Sequence, residues 1–184
     1  MEDEKVLDFL EKTGLKKGVD VAASEIFHNG FYLYNNNLRV LKREEQIKHI
    51  IKLASQHKLA YIEDPLEQED FSGFAEIKNR VNGIVVGDDL TVTHPERLRR
   101  AIKENSVNGV IVKPNQVGSL YELKKFVEMA KQNKIGTIMS HRSGESEDNI
   151  LADLAFGFQT DMIKISLGKN RQEKWDRLIE IEEG

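Results

Sequence analysis

The sequence contains no cysteine, so neither a disulfide nor a thiolate metal site enters any reading of it. Proline is nearly as scarce, at three residues, which leaves little to interrupt regular elements. No apolar run reaches the roughly 18 residues of a membrane span. The opening residues MEDEKVLDFLEK lack the apolar core of a secretory signal. On both grounds the cytoplasm is the expected compartment, with no membrane partner. A net charge of −4 gives no general reason to expect a nucleic-acid partner. What remains is the make-up of a water-soluble protein, with 39% hydrophobic and 32% charged residues among 184. That length predicts a single domain over 1–184.

Short apolar runs alternate with amphipathic ones, the pattern of βα units around a parallel sheet. The strand-like runs are VDVAA (19–23), AYI (60–62), GIVVG (83–87), GVIV (109–112), GTIM (136–139) and MIKI (162–165). Between them, Ile47, Ile50, Ile51 and Ala54 recur at helical spacing, as do Leu120, Leu123, Val127 and Ala130. Leu98, Ala101 and Ile102, then Ile150, Leu151 and Leu154, and finally Trp175, Leu178 and Ile179 predict three further helices. A first helix carries Val6, Leu7 and Leu10 and ends at Gly14. The irregular insert IFHNGFYLYNNN (26–37) reads as a hairpin turning at Asn29-Gly30.

Each strand-like run ends in charge. VDVAA carries Asp20, AYIEDP ends in Glu63 and Asp64, and GIVVGDD ends in Asp88 and Asp89. GVIVKPN brings Lys113, TIMSHRS brings Ser140, His141 and Arg142, and MIKI contains Lys164. The steps from Glu63 to Asp88 and from Asp88 to Lys113 are 25 residues each, followed by 28 to His141 and 23 to Lys164. One βα unit occupies about that much chain, so every unit delivers a charged group at one height. In a βα barrel the strand C-termini face a single mouth, where catalysis sits. Chain order further predicts the carboxylates on one arc and the cations opposite, an arrangement that holds a hard divalent cation beside an anion. Taken alone, TIMSHRSGESEDN (137–149) is readable as a loop that caps a helix through Ser146, Glu147 and Asp148. Among the other strand ends it reads as an anion site, with an arginine fork beside an imidazole and a hydroxyl.

The motifs DVAASE (20–25), IEDPL (62–66), GDDLTVT (87–93), KPNQVGSL (113–120), SHRSGESED (140–148) and the ending LIEIEEG occur together and in order. In that combination the chain resembles the enolase family, over nearly all of its length but only in the later part of the family's. The resemblance implies a partial TIM-type (βα) barrel of about six parallel strands with flanking helices. It implies magnesium-dependent dehydration of 2-phosphoglycerate to phosphoenolpyruvate, a step of glycolysis. Asp20, Glu63 and Asp88 resemble the family's carboxylate ligands of Mg²⁺. Lys113 resembles its general base and Lys164 the lysine that neutralises the substrate carboxylate. His141 is similar to the substrate-binding histidine, and Arg142 and Ser143 to the phosphate-binding pair. A lysine base working with magnesium is an established pattern of this superfamily.

The resemblance does not extend to the family's small N-terminal domain, its first two barrel strands or the glutamates on the leaving-hydroxide side. Glu25 reads as a solvated turn residue and Glu145 as helix N-terminal chemistry rather than as replacements. The stretch SLGKNRQEKWD (166–176) departs from the family's glycine-containing loop. Six strands do not close an eight-stranded barrel without distortion, so a homo-oligomer or a partner polypeptide is expected. The competing expectation is a non-catalytic or altered-specificity relative that binds Mg²⁺ and a phosphorylated carboxylic acid.

Overall fold

The structure, a computed structural model, describes residues 2–34, 38–142, 148–166 and 171–184. Six parallel strands form one sheet in the order β1 (Gly18–Asp20), β5 (Tyr61–Glu63), β6 (Ile84–Gly87), β7 (Gly109–Val112), β8 (Gly136–Ser140), β9 (Met162–Lys164). Helices α2 (Arg43–His57), α3 (Phe71–Lys78), α4 (Pro95–Lys103), α5 (Leu120–Gln132) and α6 (Ile150–Gly157) connect them, with α1 (Glu2–Glu11) and α7 (Gln172–Glu183) at the ends. This is an open part of a (βα) barrel. No helix among the described residues is long and apolar enough to cross a membrane.

The insert after β1 turns where expected. Asn29 and Gly30 take φ of 50° and 86°, the paired left-handed conformation of a tight hairpin. Strands β2 (Phe27–His28) and β3 (Phe31–Tyr34) flank them, and β4 (Arg39–Leu41) adds a third antiparallel strand that the sequence pattern did not indicate. The expected strand at 19–23 stops at Asp20, because Ala22 adopts a positive φ of 43°. Its ladder nevertheless continues, with Val21 and Ala23 donating to the carbonyls of Glu63 and Asp64 at 3.0 and 3.1 Å.

Four of the five connecting helices, all but α3, close in the same way. Lys58, Asn105, Lys134 and Gln159 all sit in the left-handed region just after a helix. The next residue then donates back five positions, as in Leu59 N–H to Ala54 O, Ser106 to Ala101, Ile135 to Ala130 and Thr160 to Ala155. This is the Schellman arrangement without its usual glycine, and buried Leu59 and Ile135 supply the accompanying apolar contact.

Period-two alternation divides the sheet. Ile62, Val85, Val110, Val112 and Met139 join the helix-facing core with Ile47, Ile50, Phe74, Leu98, Leu123, Phe126 and Leu151. Val86, Ile111 and Ile138 form a second cluster with Tyr61 and Ile84 on the concave face. Helix α7 departs from expectation. Trp175 and Ile179 are 36% and 50% exposed, while Lys174 is fully buried. Among the described elements the helix packs chiefly on α6, with Leu178 half-buried and Trp175 and Ile179 turned toward solvent.

Candidate active site

The concave alternation carries the charged residues to the mouth. Asp88 lies two beyond Val86, Lys113 two beyond Ile111, and Ser140 two beyond Ile138. Register pairs Asp20 with Glu63 and Ser140 with Lys164. The sheet curls far enough for side chains of its two edge strands to meet across the opening. Lys164 of β9 reaches Asp20 of β1 at 2.8 Å and Glu63 of β5 at 2.7 Å. The strand order keeps the carboxylates on one arc and the cations on the other, as expected, and the two lysines reach across to pair with the acids.

Glu63 is fully buried and uses both oxygens, one with Lys164 and the other accepting from the Tyr61 hydroxyl. Burial pushes its carboxyl above the ordinary range, against the pull of Lys164 and Tyr61. For Lys164 burial works against the charge, but Glu63 and Asp20 outweigh it and hold its ammonium above the usual lysine range. Such a group stays cationic. Asp88 is buried and pairs with the Lys113 ammonium through one oxygen. Its other oxygen, Oδ1, is buried with no protein partner among the described residues.

Asp64 builds the turn that carries Asp88. Its oxygens accept the backbone N–H groups of Asp88 (2.9 Å) and Asp89 (2.8 Å), from a residue itself at φ 39°. Burial raises the Asp64 carboxyl well above its ordinary value, opposed by those two N–H bonds. Asp89 is raised too, by burial first and then by Asp88, with Glu25 and Asp20 adding to it against Lys113. Thr93 fixes the Lys113 backbone, accepting its N–H at 3.0 Å while donating to Gln116 Oε1 at 2.8 Å. His141 donates from Nδ1 to the Lys164 carbonyl at 2.8 Å, which leaves Nε2 as the ring's other face to a ligand. Arg142 follows it in chain; Ser143, Glu145, Ser146 and Glu147 lie outside the described residues. Glu25 is exposed, in a turn where its N–H reaches Ala22 O.

Asp20, Glu63 and Asp88 share the rim, but not at ligand distances. Among the described residues, Asp8, Glu11 and His57 are the trio whose ligating atoms all fall within 4.8 Å of one another. The reason is the interposed ammonium groups, Lys164 holding Asp20 and Glu63, and Lys113 holding Asp88. Donor chemistry still suits a hard divalent cation, with three carboxylates and an unpartnered buried oxygen. Asp64 was read from sequence only as a strand-end charge, and Tyr61 and Thr93 were not identified as site residues. Tyr61 was the more accessible of these two, because it stands two before Glu63 and so shares its face.

Residues 4–184 match the family described as "Enolase, C-terminal TIM barrel domain". The enolase of Picrophilus torridus is 41% identical over 175 residues, covering 94% of this chain and 43% of that protein. The enolase of Archaeoglobus fulgidus is 44% identical over 170 residues, covering 92% and 42%. That of Natronomonas pharaonis is 40% identical over 171 residues, covering 91% and 42%. The chain thus spans well under half the length of the curated relatives it matches.

Proposed function

The chain belongs to the enolase C-terminal TIM-barrel family, and from that premise we propose that its mouth is the proton-abstracting part of a magnesium-dependent lyase site that converts 2-phosphoglycerate to phosphoenolpyruvate. The observation that carries this reading is convergence: a lysine from each of β7 and β9 meets carboxylates from β1, β5 and the β6 end on one rim. A proton next to a carboxylate is very weakly acidic, because its removal places a second charge on that carboxylate. Lys113 takes the proton. Lys164, kept cationic by its acid neighbours, holds the carboxylate as the charge grows. His141 binds the substrate, and Arg142 and Ser143 bind its phosphate. Asp20, Glu63 and Asp88 would hold Mg²⁺, which when bound supplies Lewis-acid stabilisation of the developing dianion. For that, Lys164 and Lys113 must yield part of their hold on the carboxylates.

Departure of hydroxide needs an acid, and we propose that a second copy or a partner polypeptide supplies it. In the described sheet β1 and β9 are edges. Exposed apolar side chains include Val6 and Phe9 on α1, Phe156 on α6, Met162 on β9, and Trp175 and Ile179 on α7. A stable monomer in sedimentation at micromolar concentration contradicts that part. The test of the chemistry is the absorbance of phosphoenolpyruvate after mixing the protein with 2-phosphoglycerate and Mg²⁺, with Lys113→Ala as control. Turnover lost in the variant supports the lyase; equal turnover in both refutes it. A second reading, binding of Mg²⁺ and a phosphorylated acid without dehydration, is favoured by the ion pairs that engage both Lys113 and Lys164. It predicts metal-dependent phosphate binding with no product.

A further inference from the structure

We infer that Arg171 and Lys174 are positioning residues that fix Arg142, after β8, and Asp148, before α6, to one turn of α7, an inference that rests on the anion reading of His141 and Arg142. Arg171, at the N-cap of α7, is 7% exposed and donates from Nη2 to the Arg142 carbonyl at 3.1 Å. Lys174, one turn on, is 0% exposed and donates from Nζ to the Asp148 carbonyl at 2.6 Å. Spacing of three places both on one helix face, so a single turn of α7 holds both Arg142 and Asp148.

The local physics opposes a lysine at this place. A cation in a helix's first turn is repelled by the macrodipole, and a buried ammonium forfeits its hydration. An apolar side chain would fill the same volume without either cost, so polar contacts, the Asp148 carbonyl among them, account for a lysine here. The rest of the frame is consistent. Asp148 receives Lys174 on its carbonyl, while its side chain accepts the Ile150 N–H at 3.2 Å and starts α6. Arg177 ties α7 to α6 through Asp153 at 2.9 Å. His141 is held from the same side, by the Lys164 carbonyl at 2.8 Å. Residues 141, 142 and 148 are thus fixed to one segment, β9 to α7, at three points. That segment includes SLGKNRQEKWD, where the chain departs from the family pattern.

The test uses the whole chain with Lys174→Met, Lys174→Arg, Arg171→Gln and Arg142→Ala. The probe is inorganic phosphate with Mg²⁺, titrated by calorimetry, and amide hydrogen exchange is read by NMR at residues 140–142, 148–150 and 109–112. Lys174→Met should weaken phosphate by roughly tenfold, the worth of one charge-assisted bond. Lys174→Arg should stay within about threefold of the parent, because it keeps a donor. Exchange should quicken at 140–142 and 148–150 and stay unchanged in β7. A change in overall stability alone does not reproduce that pattern. Should Lys174→Met not fold, Arg171→Gln gives the same reading at the Arg142 contact alone. If the clamp variants bind and exchange like the parent while Arg142→Ala loses phosphate, the clamp is wrong and the anion site stands. If phosphate does not bind the parent, or Arg142→Ala binds it equally, the anion reading fails. Exchange at 140–142 and 148–150 then decides the clamp by itself.

Discussion

Replacing Lys164 by methionine removes the cation that joins the two edges of the sheet, and its cost follows from exposure. The Asp20 contact is partly solvated, with side chains 36% and 41% exposed, and contributes less than about 1 kcal/mol. The Glu63 contact leaves a fully buried carboxylate without its cation. Losing one partner of a buried pair costs about 3–5 kcal/mol, reduced here because Lys164 is itself a third exposed and Glu63 keeps Tyr61. A total of about 3 kcal/mol lowers Tm by about 6–12 °C at this chain length. The loss should depend on pH. Glu63 is already raised by burial, and without Lys164 its folded value rises further. The deficit is then absent below the unfolded value near about 4.3 and grows as pH rises through the folded one. Magnesium should reverse part of it, because an ion at about a hundredfold its Kd stabilises by about 2.7 kcal/mol and no longer competes with the ammonium. Calorimetric Tm with and without Mg²⁺ should therefore give a larger metal shift in Lys164→Met than in the parent. A variant within about 0.5 kcal/mol of the parent, or equal metal shifts, refutes the reasoning.

Asp64→Asn keeps one acceptor and sets an amide N–H₂ against a backbone N–H, so unfolding in urea should show a loss of about 2–3 kcal/mol together with weaker Mg²⁺ binding. Asp161 accepts the N–H and hydroxyl of Thr137 at 2.7 and 2.9 Å, and that backbone bond holds its carboxyl below the usual range. Its contribution is present above the unfolded value near about 3.9 and lost as pH falls through the folded one. Asp161→Asn should thus cost about 1 kcal/mol at neutral pH, modest because the group is exposed, and converge with the parent in acid titrations. Gly30→Val meets open space at φ +86°, so its loss of about 1–2 kcal/mol in thermal melts is conformational alone.

Much of this architecture was legible because two periodicities carry it. The apolar beats located all six parallel strands to within a few residues, and the common spacing of Glu63, Asp88, Lys113, His141 and Lys164 anticipated one rim. Asn29-Gly30 marked its turn through backbone conformation alone. The helix ends were harder to read, since the left-handed residues are lysine, asparagine and glutamine in place of glycine. Lys174 escaped notice because a lysine in a charged helix reads as solvated, and only tertiary packing shows it buried. The pairing of Lys164 with Asp20, 144 residues away, depends on how far the sheet curls, and no local pattern encodes that.

The central claim, that Lys113 removes a proton beside a metal-held carboxylate, is tested most directly in D₂O. Proton NMR of 2-phosphoglycerate with Mg²⁺ should show the alpha proton exchanging in the presence of the parent protein, even without product, and no exchange with Lys113→Ala. Exchange at equal rates in both, or none with a parent that demonstrably binds the substrate and the metal, contradicts it.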